Sequence, residues 1–163
     1  MDKRWIAIII ILIAGLSAMT YIVLTSNTVG NAVTVVDDIT ISLPPGFKIL
    51  GTHTGEATLV SEGGSNETVY IKYLNDGNTS SKAFKKRVTS IEDNVEFEIT
   101  KKSNNTMQVR NITSNNNMTL KYFEKYDRTL YMKLTGFDNE NEANKIINFI
   151  VDNAKPDYKQ DRS

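Results

Sequence analysis

The sequence predicts an α+β domain, an antiparallel sheet of about six to eight strands covered by helices, preceded by one N-terminal transmembrane helix. Three observations predict it. Apolar residues alternate with polar ones in short runs between residues 39 and 135, which is the two-residue period of half-buried strands. Two segments, around residues 84–91 and 143–154, switch to helical spacing. Trp5 to Leu24 is an unbroken run of twenty residues without charge.

Taken in order, the run Trp5–Leu24 is long enough to cross a bilayer as a helix, about 30 Å at 1.5 Å per residue. Lys3 and Arg4 precede it, and residues 25–36 carry no Lys or Arg, so the positive-inside rule places the N-terminus inside and residues 25–163 outside the cell membrane. The rival reading is a cleaved signal peptide with Gly15-Leu16-Ser17 as its small-residue site, but the apolar stretch continues to Leu24. Residues 25–32 read as a polar linker, 33–155 as the extracytoplasmic domain and 156–163 as a disordered tail.

The domain opens on Ile39, Ile41 and Leu43, alternating as a strand until Pro44-Pro45-Gly46 turns the chain. Residues 47–50 and 57–60 read as short strands, and 67–74 as a stronger one with Val69, Ile71 and Tyr73 on one face. After Asn75-Asp76-Gly77, Ser80 or Ser81 is placed to cap a helix with Phe84, Val88 and Ile91 inward and Lys82, Lys85, Lys86 and Arg87 outward. Four strands then form a meander: one with Val95, Phe97 and Ile99, then 106–113, 118–125 and 128–135. The turns between them are short, so they pair antiparallel. Asn139 and Glu142 resemble a capping box for the last helix. Its stripe is Ala143, Ile146, Ile147, Ile150 and Ala154, and Pro156 stops it.

Composition narrows the function. Beyond the uncharged run there remain 17 basic and 18 acidic residues, the chain's 19 and 19 less Lys3, Arg4 and Asp2, so no basic excess points to nucleic acid. There are no cysteines, which removes thiol catalysis, disulfides and cysteine-based metal sites. Seventeen asparagines include five glycosylation sequons, at Asn66, Asn78, Asn104, Asn111 and Asn117. Four of them fall in segments read as turns, where asparagine belongs in any case.

The order of elements resembles the PsbP-like domain of exported prokaryotic proteins, archaeal ones included. Ile39-Thr40-Ile41-Ser42-Leu43-Pro44-Pro45-Gly46-Phe47 looks like that family's opening strand, and Leu130-Tyr131-Met132-Lys133-Leu134 with the helix from Asn139 looks like its closing strand and helix. The resemblance spans roughly residues 39–154 and implies a fold and a non-enzymatic accessory or assembly role. It carries over no functional residue.

Candidate chemistry is sparse. His53 is the single histidine and has no identifiable partner for acid–base work. Glu96 and Glu98 share a strand face, and Asp138, Glu140 and Glu142 sit at a helix start, where acids are favourable without any metal. Lys82, Lys85, Lys86 and Arg87 are the densest basic patch, suited to an anionic surface. Tyr70, Tyr122 and Tyr131 suit a binding face of the sheet. The expectation is a membrane-anchored envelope domain of binding or assembly role, without cofactor, whose partners are the membrane through Trp5–Leu24 and an envelope protein or cell-surface polymer. A pilin-like subunit and a hydrolase with an unrecognised site are the alternatives.

Overall fold

The computed structural model describes residues 32–157. The run Trp5–Leu24, most of the linker and the tail from residue 158 lie outside the described residues. Among those described, no helix is long and apolar enough to cross a membrane.

The chain forms strands β1 (Ala32–Val36), β2 (Ile39–Ser42), β3 (Phe47–His53), β4 (Glu56–Ser61) and β5 (Thr68–Tyr73), then helix α1 (Ser80–Glu92). Strands β6 (Phe97–Ser103), β7 (Thr106–Asn111), β8 (Asn117–Lys125) and β9 (Arg128–Thr135) follow, then helix α2 (Glu140–Asn153) and a two-residue strand β10 (Lys155–Pro156). Seven strands make one antiparallel sheet in the order β3-β4-β5-β9-β8-β7-β6. The last strand of the meander, β9, pairs back onto β5 and so welds the two halves of the sequence together. A smaller sheet, β1-β2-β10, lies against β3, β4 and β5 through β1.

Alternation along the strands explains how the sheet is covered. On β4, β5 and β9 the residues Ala57, Leu59, Val69, Ile71, Leu130, Met132 and Leu134 point to one face, where they meet Ile39 and Ile41 of β2 and Ala143, Ile147 and Ile150 of α2. On β7 and β8 the residues Met107, Val109, Leu120 and Tyr122 point to the opposite face and meet Ala83, Phe84, Val88 and Ile91 of α1. Helix α1 therefore covers one half of the sheet on one side, and α2 together with the small sheet covers the other half on the opposite side. The other half of each face stays open.

Local chemistry sets the ends of elements. Thr79, not Ser80 or Ser81, caps α1: its hydroxyl accepts from the Lys82 amide at 3.4 Å. The Ser80 amide instead donates to the Glu124 carboxylate at 2.6 Å, which places an anion at the positive end of the helix. Asn139 caps α2 as expected, accepting from the Glu142 amide at 3.0 Å. Two-residue turns at Asn104-Asn105 and Tyr126-Asp127 have both residues at positive φ, the geometry that matches strand twist.

Four further expectations change. Residue 32 belongs to a strand rather than the linker, because the apolar run Ala32–Val36 pairs with β2. Val95 is not in β6 and is 90% exposed, because the Asn94 side chain accepts from the Glu96 amide and holds a turn there. The first strand after Pro45 runs on to His53, pairing with β4 through an irregularity near Leu50. Pro156 does not simply end a helix: α2 stops at Asn153, and Lys155–Pro156 pairs with β2. Arg128 joins two turns by donating to Asp37 at 2.8 Å and Asp38 at 3.0 Å, while its guanidinium lies over the Tyr73 ring.

Candidate functional site

The two open half-faces form two grooves of different chemistry. The groove beside α2 is floored by β6, β7 and β8. Thr100, Gln108 and Thr119 line it, and a Lys101–Glu140 ion pair of 2.6 Å crosses it. It offers a partner little apolar surface to bury. The groove beside α1 is floored by β5 and β9, and it holds a recess of about 400 Å³ lined by Leu74, Ala83, Tyr122, Tyr131, Lys86 and Arg87. Apolar and aromatic lining with a few convergent charges is the usual composition of a binding surface.

Register builds this second groove. Tyr122 of β8 stands directly opposite Tyr131 of β9, and their rings lie 5.0 Å apart. Tyr131 meets Tyr70 of β5 edge-on at 6.3 Å, and Tyr122 meets Phe84 of α1 edge-on at 6.1 Å. The result is a ladder of four rings running from under the helix onto the open sheet. Such pairs contribute about 0.5–1.5 kcal/mol each beyond area burial. Lys133 stands opposite Tyr70 and sits 5.9 Å over its ring. Lys72 stands opposite Tyr131 and is held by Glu56 at 2.5 Å.

The electrostatics follow from burial and neighbours. Burial pushes the Tyr131 phenol up to about 12, and Arg87 works against that shift. Burial likewise raises Tyr122, again opposed by Arg87, and raises Tyr70 to about 12 with help from the Glu56 carboxylate. The Lys72 ammonium, then the Tyr70 hydroxyl, hold Glu56 below the usual carboxylate range. The phenols are therefore neutral hydrogen-bonding groups at physiological pH and poorly suited as nucleophiles or bases. Their raised values make the folded state the form that keeps its protons. The stability they confer is full below the ordinary tyrosine value of about 10 and is lost as pH rises through about 12. Tyrosinate absorbance should thus show a late-ionising fraction among the seven tyrosines, reduced in Tyr131→Phe. An ordinary single transition would show that Tyr131 is not packed in this ladder.

The expected site residues fall in several places. Lys86 and Arg87 line the groove, whereas Lys82 and Lys85 are exposed on α1 away from the recess. Tyr70, Tyr122 and Tyr131 come together as one ladder. His53 is exposed at the end of β3, with its Nδ1 accepting from the Thr54 amide at 2.9 Å. Glu98 pairs with Arg110, while Glu140 pairs with Lys101 rather than joining Asp138 and Glu142 around a cation. Among the described residues no group of three or more His, Asp or Glu is placed to hold a metal. Asn66, Asn104 and Asn117 are exposed, and Asn78 and Asn111 are half-buried. Both half-buried amides already serve turns: Asn78 donates to Asp76, and Asn111 accepts from the Ser114 amide. Lys72 and Lys133 were not foreseen as site residues. Only the β5–β9 register, which pairs residues some sixty positions apart, brings them to the tyrosines.

No protein-family model matches the sequence, and no curated protein matches it. Solved structures do share the fold. The Ran-binding protein Mog1p of Saccharomyces cerevisiae superposes with a TM-score of 0.54 at 13% identity, over 78% of this chain and 95% of that one. A single-residue mutant of Mog1 gives 0.53 at 13% identity over the same shares. This domain therefore has the Mog1-like α+β fold.

Those matches correct several expectations. The fold that the PsbP-like resemblance implied is present, the domain having a Mog1/PsbP-like α+β fold, but the assignment to the PsbP-like domain of exported prokaryotic proteins is corrected: no such family model matches and the solved neighbours are Mog1 structures. A short strand ending in Pro-Pro-Gly-Phe and a closing strand–helix pair describe element order, not membership. The reading as a membrane-anchored envelope domain is corrected with it, as are its partners, the membrane through Trp5–Leu24 and an envelope protein or surface polymer, because the solved neighbours are Mog1 structures. Mog1p is a Ran-binding protein, so that molecule's partner is itself a protein.

Proposed function

We propose that this domain is a non-catalytic protein-binding module that docks a protein partner on the open half-sheet beside α1. The observation that carries the reading is the ring ladder Tyr70–Tyr131–Tyr122–Phe84, which emerges from the core onto a sheet face that no element of the described domain covers. Aromatics packed on a rigid sheet lose little freedom on binding and bury large area, which is how interface anchors work. The groups in the groove suit docking: the phenols are neutral, and Lys72 is tied to Glu56. The Mog1-like fold adds support, since one neighbour is named for its protein partner.

Ran is accordingly the first partner to measure. Isothermal titration of the purified full chain with Ran should show saturable binding. Tyr131→Ala should weaken it by tenfold or more, on the order of the 2 kcal/mol typical of an aromatic anchor. Val95→Ala, at an exposed site on the far side of β6, should leave it unchanged. Absence of binding, or equal loss in both variants, overturns the reading.

Location is a separate measurement, because residues 5–24 lie outside the described residues. Alkaline carbonate extraction of the full-length protein decides it. Retention in the membrane pellet shows an integral anchor, and protease accessibility on intact cells then tests whether residues 25–163 lie outside, the side that Lys3 and Arg4 favour. Release into the supernatant removes that placement.

A further inference from the structure

The groove beside α1 has an unbalanced charge. Lys86 and Arg87 line its recess, Lys133 stands over the Tyr70 ring on the same sheet face, and none of the three makes an ion pair among the described residues, whereas Lys72 is engaged by Glu56. The acids on this face are Glu56, paired with Lys72, Glu124, which accepts from the Ser80 amide at the start of α1, and Asp76, whose carboxylate is held low first by Asn78 and only weakly by Lys86. A chain of zero formal charge thus presents an excess of cations at its most apolar surface. Elsewhere several cations are matched: Lys101 with Glu140, Lys102 with Glu92 and Arg110 with Glu98.

Beside Lys86 and Arg87 lies the recess of about 400 Å³, walled by Leu74, Ala83, Tyr122 and Tyr131. That space accommodates one or two large side chains. It is too short a cationic track for nucleic acid, which needs a row of phosphate contacts. Helix α1 stands as a wall on one side and the open strands β5 and β9 form the floor, so the groove receives an extended or helical segment rather than a flat surface.

We infer that the groove seats an acidic segment of the protein partner: its carboxylates pair with Lys86, Arg87 and Lys133, and one Leu- or Phe-sized side chain enters the recess between Ala83, Leu74 and the Tyr122–Tyr131 pair. This rests on the protein-binding reading above and specifies the chemistry of what is bound. Arg87 is the central contact. It is long enough to reach both phenols electrostatically, and its planar fork binds a carboxylate in two places. Lys133, lying over the Tyr70 ring, fixes the far end of the acidic stretch.

The test uses a fluorescein-labelled peptide of Glu and Asp residues with one central Phe, titrated with the full chain and read by anisotropy. Two control peptides carry Ala in place of Phe, or Lys in place of every acid. The acidic Phe peptide should bind, and its affinity should fall with added salt. Lys86→Glu combined with Arg87→Glu should weaken it at least about tenfold, because two exposed attractions become repulsions. Tyr131→Ala should weaken it as well, while Tyr131→Phe should not. Lys145→Glu, on the exposed side of α2, should leave it unchanged, and denaturation curves should show all variants folded. Equal binding of the acidic and lysine peptides, equal binding of the Phe and Ala peptides, or no effect of the double charge reversal overturns the inference. If the protein partner of the preceding section binds and loses affinity with Tyr131→Ala while the acidic peptide does not bind, the acidic-segment inference fails and the docking reading stands. If neither binds, both fail.

Discussion

Ile150→Ala should lower the denaturation midpoint of this domain more than any other single change on α2. Ile150 has no exposed surface and stands in the cluster formed by β2, the sheet and α2. Burial of a whole Ile side chain stabilises by about 1.5–3 kcal/mol. Truncation to Ala adds the cost of a cavity and typically totals about 2–5 kcal/mol. Without cysteines the domain has no disulfide to fall back on, and a domain of this size has about 5–15 kcal/mol in all. Ile146→Ala, at a half-buried position one turn back, should cost less, and Lys145→Ala, at an exposed one, about 0.5 kcal/mol or less. The ranking is measured by urea denaturation at constant slope. Equal midpoints for Ile150→Ala and Lys145→Ala would mean that α2 does not close the core.

That prediction is legible in the sequence because helical spacing needs only local information. Ala143, Ile147 and Ile150 announce themselves at intervals of four and three, and the strand with Leu130, Met132 and Leu134 does so at intervals of two. Alternation fixes which residues share a face, but it does not say which partner covers that face. For this reason the sequence predicted helices over a sheet without showing that α1 and α2 take opposite sides. The same gap hid the groove. Tyr70, Tyr122 and Tyr131 were visible as aromatics and Lys86 and Arg87 as a helix face, yet what joins them is strand register between β5, β9 and β8, set by pairings distant in sequence. β1 was missed for a different reason. Its run Ala32–Val36 has almost no alternation and directly follows polar residues, so period analysis blends it into the linker. β10 is two residues long and contains a proline, which reads as a stop signal until the pairing partner is known.

Gly136→Ala should be the most damaging small substitution in the described domain, and nothing in the sequence pattern singles it out. Gly136 follows β9 at φ +82, where a side chain costs about 1–2 kcal/mol. A Cβ there would also lie 2.2 Å from the Asn66 carbonyl oxygen, 2.6 Å from its carbon and 2.9 Å from the Glu67 nitrogen. These are backbone atoms, so no rotamer change relieves the clash. The segment before β5 must move, and it is already fixed by Thr68 pairing with Thr135. Displacing residue 136 also pulls on Phe137, whose ring stacks on Phe47 at 6.3 Å, and then on the start of α2. Gly64→Ala isolates the first contribution: its φ is +76, but nothing lies within 4 Å of the added carbon. Gly64→Ala should therefore cost about 1 kcal/mol, and Gly136→Ala clearly more, of the order of 3 kcal/mol or above. The difference between their urea midpoints measures how tightly β9 passes beneath the Asn66–Glu67 backbone. Similar midpoints would show that the two segments separate at little cost, and that the β5–β9 seam under the tyrosine ladder is soft rather than rigid.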